Sequence, residues 1–460
     1  MSKNDVCIVT AGNVDSGKSS FVGVLAYGEL DDGDGSARKK VAKHPHEKDS
    51  GKTSDITSKS IRISSEKEIM LVDLCGHEKY LKTTLFGMTG YFPDYGILVV
   101  AANRGLLKMS KEHMLILLCL KIPFIILITR VDIAPKEIYN GTLEQIKKIM
   151  KRFNKNPIQF NSLLEYTLNE EELKKTQASI LPEVINTAKN MSVNHNIVPI
   201  ISVSNKTGYY INIIREMVIN LEPRNIWKTD GIKGSIFYID SKFNPSGVGS
   251  VVSGIVKGEP IKVGDELLLG PYGKEFLPVR IWSIHDNNKN SLTELPERCH
   301  GCLAFRILDK KTDFVLNKIR KGMLFLSKVF TETVCFQFNA NIKILNHSTT
   351  LSSKYSPVIH CGIIRQTARI ILSENQILKM GDRALVSFRF ISYPEYLEKG
   401  MIFFFREGTT KGVGTIEEVL PLNKDSDPNP ATPKKRSHRK RHNKGTNNNS
   451  NTNTSIGGKK

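Results

Sequence analysis

The sequence predicts a doubly wound, mostly parallel α/β domain, followed by two all-β barrels and a disordered basic tail. Three observations predict it. Up to residue 224, short continuous apolar runs alternate with helical patterns. Such runs suit strands covered on both faces, and strand–helix alternation builds a parallel sheet. Beyond Pro223, Gly-rich turns separate short β-rich runs and long helical patterns are scarce, as in barrels. From Asn423 the chain is low-complexity, with a Lys/Arg/His cluster and an Asn/Thr/Ser tract that buries no apolar area. The expected domains are 1–224, 231–330 and 333–422, with the tail at 423–460.

The elements follow in order. A strand is read over residues 6–11 and a helix over 19–27. Strands at 59–63 and 68–74 flank the polar turn 64–67. Then come a helix at 77–88, a strand at 95–101, a helix at 110–120 and a strand at 124–128. A helix at 142–152, a strand at 197–202 and a helix at 209–221 complete the domain. The first barrel is read from runs at 235–239, 249–256, 266–269 and 279–284. The second is read from 336–345, 358–361 and 384–390, with the division near 329–333.

Composition bounds the function. The 460 residues carry 66 Lys+Arg against 46 Asp+Glu, a net charge of +20. With 40% hydrophobic residues there is material for real cores, so wholesale disorder is excluded. No uninterrupted apolar run approaches about twenty residues, so no membrane-spanning helix is expected. Residues 1–14 lack the charged-then-apolar pattern of a secretory signal. The seven cysteines are odd in number and scattered, which favours a reducing, cytoplasmic setting over a disulfide framework. The charge excess points to an acidic polymer, either nucleic acid or an anionic membrane surface. Residues 423–460, with ten Lys+Arg and two Asp, hold +8 of it.

Gly12-Asn13-Val14-Asp15-Ser16-Gly17-Lys18-Ser19 fits G-x-x-x-x-G-K-S/T between a strand and a helix. The glycines let the backbone curl so that its N–H groups, and those of the following Ser20, face phosphate oxygens at a helix N-terminus. Lys18 is expected at the β- and γ-phosphates and Ser19 on Mg²⁺. Asp73-Leu74-Cys75-Gly76-His77 ends a strand beside that loop. There Asp73 is placed to hold Mg²⁺, Gly76 to approach the γ-phosphate and His77 to orient the attacking water.

Thr129-Arg130-Val131-Asp132 closes an apolar run where a guanine-reading N-K-x-D element belongs. Asp132 keeps the carboxylate that pairs with guanine N1–H and its 2-amino group, and Arg130 can stack on the base. Adenine lacks those donors, so Asp132 argues for GTP over ATP. Ser204-Asn205-Lys206 follows the strand at 197–202 and fits the S-A-K element, with Asn205 in place of Ala. Three other features are set aside. Cys299-His300-Gly301-Cys302 is a single C-x-x-C, short of four zinc ligands. Trp227 and Trp282 are read as core or linker packing, and His360-Cys361 as barrel packing.

These motifs resemble those of the translational GTPases of the elongation factor Tu and elongation factor 1-alpha superfamily. Residues 73–77 resemble their D-C-P-G-H, residues 247–254 and 261–265 their G-x-G-T-V-V-x-G and I-K-V-G-D/E, and residues 405–414 their R-E-G-x-x-x-x-G-x-G. Within that superfamily the chain is most similar to the GTP-binding protein 1 and 2 family. Residues 28–31, 47–54, 76–84, 86–90, 347–350, 360–362 and 364–368 carry that likeness.

The resemblance implies GTP hydrolysis with Mg²⁺. It implies Thr53 as the switch threonine on Mg²⁺, His77 as the catalytic histidine and Val14 as one wing of an apolar gate. Asp15 matches a loop aspartate that helps hold a monovalent cation in related enzymes. Elongation factor Tu has an apolar residue where this chain has Lys52, and Asn-Lys where it has Thr129-Arg130. The implied partners are GTP and GDP, the ribosome, and aminoacyl-tRNA or another RNA. Arg38, Lys39, Lys40 and Lys43 offer a basic run for the RNA. A monomer without a membrane partner is expected. A GTP-gated adaptor in ribosome rescue or mRNA decay, and a non-hydrolysing RNA-binding module, stand as alternatives.

Overall fold

The computed structural model describes residues 5–51, 53–64, 67–224, 233–273, 275–286, 289–309, 316–330, 334–346, 350–351, 355–373, 376–408 and 410–420. The expected joints near 225–232 and 331–333, Trp227, Lys52, residues 347–349 and the tail lie outside them.

The N-terminal domain runs β1 (Val6–Gly12), α1 (Lys18–Tyr27), α2 (Ser36–Val41), α3 (Pro45–Ser50), β2 (Thr57–Arg62), β3 (Glu68–Asp73), α4 (Leu81–Gly90) and β4 (Tyr95–Ala101). It continues α5 (Lys108–Cys119), β5 (Phe124–Thr129), α6 (Lys136–Arg152), β6 (Asn156–Gln159), α7 (Glu170–Asn190), β7 (Ile197–Ser202) and α8 (Ile211–Ile219). The seven strands order as β2-β3-β1-β4-β5-β7-β6. All neighbours are parallel except the edge pair β2 and β3. Every residue of β1, β3, β4 and β5 is buried, which is why these strands read as unbroken apolar runs. Strand β1 pairs with β3 on one side and β4 on the other. Crossovers therefore leave it in both directions, and a crevice opens at the carboxyl ends of these strands.

Several expected elements shift. The helix expected at 77–88 is a short 3-10 turn at Glu78–Tyr80 followed by α4, with His77 as the turn's cap. Helix α6 begins at Lys136, six residues before the expected start. Helices α2, α3 and α7 and strand β6 were not expected. Only Val184, Thr187 and Ala188 of α7 are buried, so it carries little apolar periodicity.

The second body comprises β8 (Ser235–Phe243), β9 (Val251–Gly258), β10 (Ile261–Lys262), β11 (Glu266–Tyr272), β12 (Glu275–His285), β13 (Ser291–Leu292), β14 (Glu294–Leu295), β15 (His300–Ile307) and β16 (Leu324–Ser327). The order β11-β16-β8-β9-β15-β12 closes through a β11–β12 pairing. Trp282 falls at a register shift between Ile281 and Ser283 and is 55% exposed under the Arg306 guanidinium. It does not pack in the core, because strand alternation puts it on the exposed face with Arg280.

The third body has β17 (Val334–Cys335), β18 (Gln337–Asn346), β19 (Val358–Cys361), β20 (Ile364–Ile371), β21 (Arg383–Phe390), β22 (Glu395–Tyr396), β23 (Ile402–Glu407) and β24 (Thr410–Leu420). Its closed barrel runs β18-β21-β20-β19-β23-β24. His360 and Cys361 are buried in it, as expected.

Ion pairs join the three bodies. Arg298 pairs with Asp94, Lys257 with Glu398 at 2.7 Å, Arg320 with Glu395 at 2.7 Å, and Lys411 with Glu112 at 2.8 Å. None of the seven cysteines forms a disulfide. Among the described residues, no helix is long and apolar enough to cross a membrane, and no cluster of His, Cys, Asp or Glu is arranged to hold a metal by itself.

Candidate nucleotide site

The loop between β1 and α1 lies in the crevice. Gly12 (φ 144°) ends the strand, and a Cβ there would fall 2.2 Å from the Val99 carbonyl oxygen. Only glycine fits. Asp15 (φ 57°) and Gly17 (φ 82°) take the left-handed conformation that completes the curl before α1. Two residues of α5 brace it from behind. Gly12 N–H donates to His113 Nδ1 at 2.9 Å, and Asn13 N–H donates to Ser110 Oγ at 3.3 Å. Neither brace was anticipated, since His113 and Ser110 lie in a helix read only for its apolar pattern. Lys18 Nζ donates to the Asn13 carbonyl at 2.7 Å. Burial lowers its pKa, and the Asp73 carboxylate opposes that shift. A Cβ at Gly76 would fall 2.7 Å from the Asn13 carbonyl carbon and 2.5 Å from Lys18 Nζ, so this position too must stay bare.

Three oxygens converge below Lys18. Ser19 Oγ donates to Asp73 Oδ2 at 2.6 Å and lies 3.0 Å from Thr53 Oγ1. Thr53 Oγ1 is 3.4 Å from the same carboxylate oxygen, and Thr10 Oγ1 donates to Asp73 Oδ1 at 3.0 Å. Burial pushes the Asp73 carboxyl up; Lys18 and these hydroxyls hold it back. An all-oxygen set with one carboxylate suits Mg²⁺, which takes its remaining ligands from phosphate and water.

Val14, Asp15, Gly17, Lys18, Ser19, Ser20, Thr53, Gly76, His77 and Arg130 line one pocket of about 360 Å³. His77 is exposed, and its Nδ1 accepts the Lys79 N–H at 3.1 Å, which places the ring proton on Nε2. Asp15 faces the Arg104 guanidinium at 3.5 Å. On the base side, buried Thr129 donates to the Ser16 carbonyl at 2.7 Å. Arg130 (φ 61°) turns into the pocket, while Asp132 sits half-buried one turn on, outside the phosphate lining. Asn205 Nδ2 donates to the Gly17 carbonyl at 3.3 Å. Ser204 Oγ accepts the N–H groups of Lys206 at 3.3 Å and Thr207 at 3.1 Å. The substituted Thr129 and Asn205 thus each tie a base-side loop to the phosphate loop.

The switch segment is organised by Glu47, a residue to which the sequence pattern assigns no role. Its carboxylate accepts the N–H groups of Lys43 (3.0 Å), His44 (3.1 Å), Ser54 (2.7 Å) and Asp55 (3.2 Å), and the Ser54 hydroxyl (2.8 Å). Burial raises its pKa, but those bonds outweigh it and hold the carboxyl below its usual range. The basic run is divided in its contacts. Lys40 pairs with Glu29, Lys43 pairs with Asp55 at 2.7 Å, and Arg38 lines the pocket. Both ion pairs are solvent-exposed, and Lys39 is exposed beside them.

The model of the elongation factor Tu GTP binding domain matches residues 3–224. GTP-binding protein 1 of Xenopus laevis is 35% identical over 443 residues, covering 90% of this chain and 64% of that protein. GTP-binding protein 2 of Mus musculus is 32% identical over 449 residues, covering 91% of this chain and 70% of that protein. The chain belongs to the GTP-binding protein 1 and 2 family. It spans somewhat under two thirds of the first relative's length and somewhat over two thirds of the second's. The family places it among translational GTPases of the elongation factor Tu type. In fold it is similar to elongation factor SelB from Methanococcus maripaludis in complex with the GTP analogue GppNHp. That likeness has a TM-score of 0.63 and 20% identity, covering 92% of this chain and 81% of that one.

Proposed function

We propose that this member of the GTP-binding protein 1 and 2 family binds and hydrolyses GTP at the ribosome, carrying aminoacyl-tRNA or a related RNA. The observation that supports this reading best is the convergence of the Ser19, Thr53 and Asp73 oxygens at the edge of the pocket that Lys18, Ser19 and Thr53 line.

Each residue has a task. The loop 12–20 wraps the phosphates with backbone N–H groups, and Lys18 holds the β- and γ-phosphates. Ser19, Thr53 and Asp73 would hold Mg²⁺, which neutralises charge on the β- and γ-phosphate oxygens when bound. Gly76 brings the backbone to the γ-phosphate, and His77 positions the attacking water. Asp132 pairs with the guanine edge, Arg130 covers the base, and the 204–206 loop meets guanine O6. Asp15 is the point at which a monovalent cation would sit, beside Arg104. There is little covalent work, so rate depends on placement. His77 is exposed, which fits slow turnover until the ribosome docks and turns it inward. Loss of the γ-phosphate releases Thr53, an order–disorder switch. The protein acts in the cytoplasm as a monomer.

The test is GTP turnover by the full chain with ribosomes, with and without aminoacyl-tRNA. Stimulation by ribosomes that is lost in His77→Ala is expected. Stronger binding of labelled aminoacyl-tRNA with a non-hydrolysable GTP analogue than with GDP is also expected; equal binding sinks the carrier role. Ribosome stimulation without any aminoacyl-tRNA dependence would instead favour a GTP-gated adaptor in rescue or mRNA decay. The pairing of Lys40 and Lys43 with carboxylates lends that reading its support.

A further inference from the structure

Arg38 stands apart from the basic run that contains it. It lies half-buried on α2 and lines the nucleotide pocket with Lys18, Ser19, Thr53 and Gly76. It also lines the small adjoining cleft where Asp73 meets Ser19 and Thr53. Among the described residues no carboxylate pairs with its guanidinium. Two of the acids nearest in sequence, Asp31 and Asp32, are committed elsewhere, and the exposed Asp34 lines the same pocket without an ion pair to Arg38. Asp31 accepts the Ala37 N–H at 3.0 Å, and Asp32 accepts the N–H groups of Asp34 at 2.8 Å and Ser36 at 3.0 Å.

The side chain runs along two glycines. A Cβ at Gly35 would fall 2.1 Å from Arg38 Nε, and a Cβ at Gly51 would fall 1.5 Å from Nη1. Gly51 lies two residues before Thr53, so the guanidinium rests against the backbone that delivers the switch threonine. Lys18 and Arg38 thus face one pocket, which Asp15, Asp31 and Asp34 also line, while Asp73 lies in the adjoining cleft. A planar guanidinium that pairs with none of these carboxylates is set to meet the oxygens of a bound polyanion.

We propose that Arg38 is a catalytic residue for GTP hydrolysis, an arginine supplied in cis to the reacting phosphates. The inference rests on the hydrolase reading above. In the step, the water oxygen forms a bond to the γ-phosphorus, and the bond from that phosphorus to the β–γ bridging oxygen breaks. The electron pair stays on the GDP oxygen, and the water proton ends on inorganic phosphate. Arg38 donates N–H bonds to a γ-phosphate oxygen and the bridging oxygen, where charge grows. Its planar fork suits two oxygens at once, which an ammonium does not.

The test compares the full chain with Arg38→Ala and Arg38→Lys in single-turnover GTP hydrolysis with Mg²⁺ and ribosomes, alongside affinities for GDP and for GDP with aluminium fluoride. The expected result for Arg38→Ala is a fall in rate of about 10²–10³-fold, with GDP affinity changed less than about threefold. Tight binding of the aluminium fluoride complex is lost, added guanidinium ion restores part of the rate, and Arg38→Lys is intermediate. Unchanged hydrolysis by Arg38→Ala overturns the inference and leaves the hydrolase reading standing. Equal loss of GDP and GTP affinity at unchanged turnover also overturns it and makes Arg38 a pin for the switch loop. If the unaltered protein binds GTP but, like Lys18→Ala, never hydrolyses it, the hydrolase reading falls and the inference with it.

Discussion

His113 shows how a single buried side chain sets the phosphate loop. It is fully enclosed, and burial together with the nearby Lys18 charge pushes its pKa down to about 3. The ring must stay neutral to accept the Gly12 N–H. Replacing it with Ala leaves that N–H buried and unpaired, at a cost of about 1–3 kcal/mol in a urea melt at neutral pH. The pH dependence has a definite sign. An unfolded histidine titrates near its usual 6.5, the folded one near 3. Stability from this group is therefore present above pH 6.5 and lost as pH falls from 6.5 toward 3. His113→Ala should flatten part of that acid limb in pH-dependent melts, with His360, also held near 3, and carboxyls held low, such as Glu47, contributing to the rest. At the base edge, Asp132→Ala would remove the two charge-assisted hydrogen bonds proposed to the guanine edge. GDP affinity should drop about a hundredfold while ADP affinity barely moves, as competition titrations would read. The contrast between these residues explains what the sequence disclosed. The phosphate loop is contiguous, so its chemistry is spelled in order. His113 acts on Gly12 from 101 positions away, and no local pattern announces a pairing made by two elements meeting in the crevice.

At the scale of elements, the segment from Lys43 to Asp55 hangs on one carboxylate. Glu47 Oε1 accepts three bonds and Oε2 two. In Glu47→Gln an amide nitrogen would face N–H donors, so the loop should loosen and Thr53 with it. The Mg²⁺ concentration giving half-maximal GTP binding should rise about tenfold, while GDP binding without Mg²⁺ stays as it was. The strands of the parallel sheet were legible because both faces are buried and the apolar runs are unbroken. Helix α7 was missed because it lies mostly in solvent. Its capping box, Asn169 with Glu172, was there to read. Strand β20 alternates buried and exposed residues, a period-two signal hidden among charged side chains such as Arg365 and Arg369. His77 was misplaced into a helix because a 3-10 turn and an α-helix share similar residues over one turn.

For the whole molecule, charge is divided between a folded body and the +8 of residues 423–460. Deleting those residues should reduce the salt slope of RNA binding by about 0.7–0.9 for each phosphate they neutralise and leave GTP hydrolysis intact. Filter binding across a salt series, run beside turnover, checks both. The three-body plan was visible in the change of texture after Pro223, whereas the ion pairs that bind the bodies together were not. Asp94 and Arg298, like Glu112 and Lys411, are far apart in the chain and look like ordinary surface charges until the fold buries them.

Helix α5 carries Ser110 and His113 against the phosphate loop and Glu112 against Lys411 of the third barrel. One rigid rod of twelve residues therefore holds two sites in a common free-energy balance. Whatever factor the nucleotide contributes to docking of the barrel, docking must contribute to nucleotide affinity, because the cycle closes. Lys411→Ala should weaken GDP affinity by about tenfold, which corresponds to about 1.4 kcal/mol of coupling, and equilibrium titration of a fluorescent GDP would measure it. A partner that pulls on the barrel would then act as an exchange factor without touching the nucleotide, and a partner that presses it home would act as a clamp.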